Sequence, residues 1–243
     1  KQKTAYEIGV RLVGSEMCIR DSFSGERDRT VNIPGPIVLC AVAVAGLLVA
    51  EYRDSRGGLW LTKPLASAAF IWLGLVSNAL DSGYGRLVLV ALALCLLGDI
   101  LLIPRDRPKV FRAGVFAFLL GHVAYSAAFL SRPLAPGGLL VGAVVLGIVI
   151  LAVLRWLGKS LPPEMAGPVR TYMLVIGVMS ALACGVTAAG GPWAVAVGAL
   201  AFTASDISVA RDRFVRHQFI NRAWGLPLYY SAQLLLATTA SLI

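Results

Sequence analysis

From residue 34 onwards the sequence runs in long, nearly continuous apolar stretches separated by short charged connections. Eight spans can be drawn, at 34–50, 61–79, 85–103, 111–130, 137–157, 169–189, 192–210 and 223–242. Each is close to the length that a hydrocarbon core of ~30 Å demands of a helix. The runs do not alternate apolar and polar residues, as barrel strands would. Of the 243 residues, 58% are hydrophobic and only 14% charged, and mean hydropathy is +0.77. Those values lie far from the soluble average. The expected fold is therefore all-α, a polytopic membrane protein built as one bundle of eight transmembrane helices over residues 30–243.

Local signals punctuate the spans. The second is expected to open at Thr62-Lys63-Pro64, with the proline in its first turn, where it is well tolerated. The third stops at Pro104, and Gly190-Gly191-Pro192 breaks the sixth from the seventh. Asn78, near the outer end of the second, reads as an interhelical hydrogen-bond partner.

The formal charge of +9 does not point to nucleic acid, because the basic residues sit in short connections and no binding motif accompanies them. Fourteen Lys and Arg fall in the connections 1–2, 3–4, 5–6 and 7–8, against Arg86 and Arg132 on the other face. That asymmetry puts the four basic connections in the cytoplasm and both termini outside. Residues 1–29 stand apart. They mix six basic with five acidic residues and hold no apolar run. Tyr6 to Ser22 resembles translated sequencing-adapter read-through, so this tail is expected to be non-native and dispensable. Cys40, Cys95 and Cys184 lie in apolar runs, Cys18 in the tail, and none has CxxC spacing. The three in spans read as small buried hydrophobes.

Asp99 and Asp206 are the only acidic residues inside the eight spans as drawn. An ionisable group in a bilayer is costly and marks a functional site. Each lies about 7–9 Å inside the basic face, at ~1.5 Å per helical residue. Lys63 reaches the same level from the second span. Tyr229, Tyr230 and Gln233 fall two to three turns into the eighth, with Tyr229 and Gln233 on one face. His122 and Tyr125 lie deeper, in the fourth. Together they predict a polar cavity open to the cytoplasmic half. The tyrosines have a second reading as interfacial anchors, and His122 as a packing residue. The five tryptophans fit an interfacial belt. Asp99–Arg107 and Asp206–Arg213 also resemble each other, as do Tyr125–Leu130 and Tyr230–Leu235. A weak repeat relating spans 3–4 to 7–8, or chance similarity, accounts for this equally.

Lys63-Pro64, Leu97-Gly-Asp-Ile-Leu-Leu102, Phe118-Leu-Leu-Gly-His-Val-Ala-Tyr125, Gly198 to Asp206 with Ala210, and Tyr229-Tyr-Ser-Ala-Gln233 resemble the YhhN-type lysoplasmalogenase family. The resemblance covers the chain from about residue 35. It implies eight spans, a setting in a bacterial cytoplasmic membrane, and hydrolysis of the vinyl-ether bond of a lysoplasmalogen to a fatty aldehyde and a glycerophospho-base. The implied partner is a lysophospholipid within membrane lipid, with no nucleic acid. Such a reaction suits two carboxyl groups: one protonates the terminal vinyl carbon, and an ionised one stabilises the oxocarbenium ion and activates water. On this reading Asp99 and Asp206 are catalytic, while Lys63, His122, Tyr125, Tyr229, Tyr230 and Gln233 bind substrate. Lys63 keeps two readings, on the lipid phosphate or on one aspartate.

No cofactor is expected. With two histidines, a three-histidine zinc site is excluded; a mixed Asp/His metal site stays open but unsupported. There is no GxSxG elbow. The alternative from another class is a proton-coupled transporter in which the two aspartates carry protons.

Overall fold

Proline and serine set where the helices begin. In a computed structural model, which describes residues 34–104 and 106–241, the chain forms eight α-helices. These are α1 (Pro34–Tyr52), α2 (Arg56–Val76), α3 (Gly83–Leu101), α4 (Pro108–Leu130), α5 (Pro136–Gly158), α6 (Pro163–Ala188), α7 (Trp193–Phe214) and α8 (Phe219–Thr238), followed by a 3-10 turn, Thr239–Ser241. Ser55 and Ser82 cap α2 and α3 by accepting from the Gly58 and Gly85 N–H groups. α4, α5 and α6 carry proline in the first turn, where the missing N–H costs nothing. The suspected tail, residues 1–29, lies outside the described residues.

Several element boundaries differ from the sequence expectation, all at charged ends. α2 begins at Arg56 rather than 61, so Pro64 lies inside the helix instead of opening it. The Ser55 cap overrides the hydropathy edge. α6 starts at Pro163 and takes in Pro168. α7 runs on to Phe214, and α8 already includes Asn221 and Arg222. Asn78 is not an interhelical partner: it lies beyond α2, exposed, with φ of 56°. That is the left-handed turn conformation asparagine tolerates.

Successive helices pair as antiparallel hairpins, α1 with α2, α3 with α4, α5 with α6 and α7 with α8. α8 also packs on α1, α2 and α3, while α6 packs on α4 and α7. Seven helices are long and apolar enough to cross a membrane; α8 is the exception. Its polar side chains Asn221, Tyr229, Tyr230 and Gln233 are buried, so they face protein, not lipid. α5 is the converse, the most hydrophobic helix with only Gly142, Leu146 and Leu157 buried. All five tryptophans are exposed, as an interfacial or lipid-facing belt requires.

Two glycines permit the close approaches behind the site. A Cβ on Gly225 would overlap Ser208 of α7, so only glycine lets α8 close onto α7 there. A Cβ on Gly98 would lie 2.6 Å from the Phe118 ring, which fixes α3 against α4 beside Asp99.

Candidate active site

Lys63 and Ser67 are one turn apart on α2 and present one face to the end of α3. The Lys63 Nζ lies 3.4 Å from Asp99 Oδ1. Ser67 Oγ donates to Asp99 Oδ2 at 2.7 Å, and the Tyr229 hydroxyl of α8 donates to the same oxygen at 2.8 Å. With an ammonium and two hydroxyls converging on it, Asp99 is an acceptor on both oxygens.

Asp206 has a different shell. The Tyr172 hydroxyl of α6 donates to its Oδ2 at 2.8 Å, and His122 Nε2 of α4 lies 3.4 Å from that oxygen. The histidine tautomer follows from its other nitrogen. His122 Nδ1 is 2.7 Å from the Phe118 carbonyl, and a carbonyl only accepts, so Nδ1 carries hydrogen. In the neutral ring Nε2 is therefore a bare lone pair. It is buried and makes no hydrogen bond among the described residues. The Phe202 ring lies 4.4 Å from that of His122, tilted by 36°, and meets Tyr229 edge-on at 5.4 Å.

Asp99 and Asp206 line one cavity of about 390 Å³, together with Lys63, Tyr172 and Tyr229. All its lining residues lie in the half of the bundle nearer the basic connections, and α5 supplies none. Its walls are mainly apolar, with Phe111, Val115 and Phe118 from α4 and Met165, Val169 and Met173 from α6. A second recess, with a larger polar share, has Glu51, Leu59, Ile103, His217 and Arg222 in common with it at the basic end. There Arg222 bridges Glu51 and Asp212, each at 3.1 Å, and His217 Nδ1 lies 3.1 Å from Asp212. Asn221 donates to Asp212 and to the Arg216 carbonyl, and accepts from Arg211. This network ties the ends of α1, α7 and α8 into a rim.

The other residues singled out in the sequence lie deeper or to one side. Tyr125 donates to Gln233 Oε1 at 2.7 Å, joining α4 to α8 in the closed interior. The Tyr230 hydroxyl lies 3.4 Å from both Ser67 Oγ and the Lys63 carbonyl. Neither tyrosine nor Gln233 lines the cavity. Tyr125, Tyr229 and Tyr230 are all buried, so none is an interfacial anchor. His122 touches Asp206 from behind the cavity wall.

Sequence reasoning missed Ser67, Tyr172 and the rim. For Ser67 the signal was the four-residue spacing from Lys63; Tyr172 had none beyond a hydroxyl in an apolar run. Glu51 is a further correction. α1 extends past the expected end of its span, so Glu51 joins Asp99, Asp206 and Asp212 in the cavity lining, its side chain 8% exposed and paired with Arg222.

Two carboxylates with contrasting donor shells share one cavity in a bundle of long, apolar, membrane-length helices. The YhhN family model matches residues 58–240, and the chain belongs to the YhhN family. The match takes in every cavity-lining residue except Glu51. The chain is similar to lysoplasmalogenase TMEM86A of Bos taurus, 33% identical over 193 residues, or 75% of this chain and 69% of that one. It is 34% identical to lysoplasmalogenase TMEM86B of Homo sapiens over 177 residues, 72% of this chain and 71% of that one. Human lysoplasmalogenase TMEM86A is 31% identical over 184 residues, 70% and 73% of the two chains. No solved structure matches.

Proposed function

We propose that this protein is a membrane-embedded lysoplasmalogenase, cleaving the vinyl-ether bond of a lysophospholipid by aspartate acid–base chemistry. The observation that carries the reading is the pair of carboxyl groups in one cavity with opposite donor settings, in a chain whose family includes named lysoplasmalogenases. Asp206, with His122 3.4 Å behind it, delivers a proton to the vinyl carbon remote from the ether oxygen. The carbon bonded to oxygen becomes an oxocarbenium centre. Asp99, the ionised carboxylate beside Lys63, faces that positive charge and takes a proton from the attacking water. The resulting hemiacetal collapses to a fatty aldehyde and the free glycerol hydroxyl, and the proton gained by Asp99 restores the balance. Met165, Val169 and Met173 offer the alkenyl chain an apolar wall. The basic end belongs in the cytoplasm and both termini outside, in a bacterial cell across its cytoplasmic membrane.

The test is turnover by purified protein in detergent, with vinyl-ether, ester and alkyl-ether lysolipids of one chain length. Aldehyde released from the vinyl ether alone is the expected result. In deuterated water that aldehyde should carry one deuterium on the carbon next to its carbonyl. No aldehyde, with aspartate-dependent proton flux in liposomes, would replace the enzyme by a transporter.

A further inference from the structure

Three Lys and Arg side chains line the cavity: Lys63, Arg213 and Arg222. Two are already committed. Lys63 faces Asp99 at 3.4 Å, and Arg222 bridges Glu51 and Asp212. Arg213 has no carboxylate partner among the described residues; its guanidinium instead sits 4.3 Å over the Phe111 ring. An aromatic face orients the planar fork without satisfying its N–H donors.

We propose that Arg213, seated on Phe111, binds the phosphate of the lysolipid; this rests on the function proposed above. The spacing fits. Arg213 follows Asp206 by seven residues, two helical turns, so both project from one face of α7 at an axial offset of ~10 Å. Long side chains lean toward the helix N-terminus, which for α7 is toward Asp206 and into the cavity. The longer arginine recovers roughly 4 Å of the offset, leaving ~6 Å between carboxyl and guanidinium. In a lysophospholipid seven bonds separate the vinyl carbon that Asp206 protonates from phosphorus, a reach of up to ~9 Å at bond lengths near 1.5 Å, so a bent glycerol backbone covers the gap. A vinyl ether at Asp206 therefore brings its phosphate to the fork of Arg213, the geometry arginine uses for bidentate phosphate binding. Phe111 and Val115 of α4 line the same cavity and offer the chain an apolar wall.

Binding tests this without relying on turnover. The full chain in detergent is titrated with a 1-alkyl lysophospholipid, which cannot be cleaved, and with the 1-alkylglycerol of the same chain. The wild type should prefer the phospholipid, and Arg213→Gln should erase that preference by weakening phospholipid binding ~10- to 100-fold, the loss typical of a charge-assisted hydrogen bond. Arg213→Lys should fall between. Arg216→Gln, in the same connection but outside the cavity lining, should keep the preference. Inorganic phosphate should not compete. The proposal is overturned if Arg213→Gln retains the preference, if the wild type has none, or if inorganic phosphate displaces the lipid and marks a free-anion site. Absence of vinyl-ether turnover alongside an Arg213-dependent preference would sink the enzyme reading and leave the phosphate site standing.

Discussion

Replacing Asp206 by asparagine keeps the acceptor for Tyr172 but removes the carboxyl group proposed to donate the proton. Replacing Asp99 keeps an oxygen for Ser67 and Tyr229 and removes the charge opposite the developing cation. Each change should lower vinyl-ether turnover by ~100-fold or more, the lower end of acid–base contributions. His122→Ala and Tyr229→Phe should cost less, because they orient these groups rather than replace them. Lys63 makes a stability prediction. Lys63→Met leaves Asp99, whose side chain is 3% exposed, without its cation, and should destabilise the protein by about 3–5 kcal/mol. Adding Asp99→Asn should recover part of that loss, a coupling a double-mutant cycle in detergent would measure. The two aspartates were legible in the sequence because a charge stands out against an apolar background. Ser67 and Tyr172 were not: hydroxyl residues are common in spans, and depth along one helix says nothing of which neighbour lies beside it.

At the scale of elements, hydropathy marked the existence of every helix but not its ends. Arg56–Leu61, Arg211–Phe214 and Phe219–Arg222 are helical though charged or mixed in character, because caps and side-chain pairs hold them where lipid does not. Those ends carry the rim of the site, so the boundary errors and the missed rim residues have one cause. α8 shows how helix packing sets site geometry. Gly225 allows its approach to Ser208, one turn before Tyr229 reaches Asp99. Gly225→Val should push α8 outward and separate Tyr229 from Asp99. Turnover should fall at least tenfold while the protein still folds, and a variant of wild-type activity would show that this packing does not hold the site.

For the whole molecule, four hairpins place the α7–α8 connection and the end of α8 at opposite ends of the bundle. Reporter fusions at these two points should therefore land on opposite sides of the membrane, with the basic connection in the cytoplasm. Deleting residues 1–29 should leave expression and turnover unchanged; a large loss would make the tail part of the working protein. The bundle's class was readable from the apolar runs, whereas the lateral order that joins α8 to α1, α2 and α3 comes only from packing. The cavity lies wholly in the half of the bundle nearer the basic end. A lysolipid lodged there would have its headgroup on that side, and the protein would draw on a single leaflet. In vesicles loaded asymmetrically, lipid in the facing leaflet would be consumed promptly, and the opposite pool only as fast as it flips.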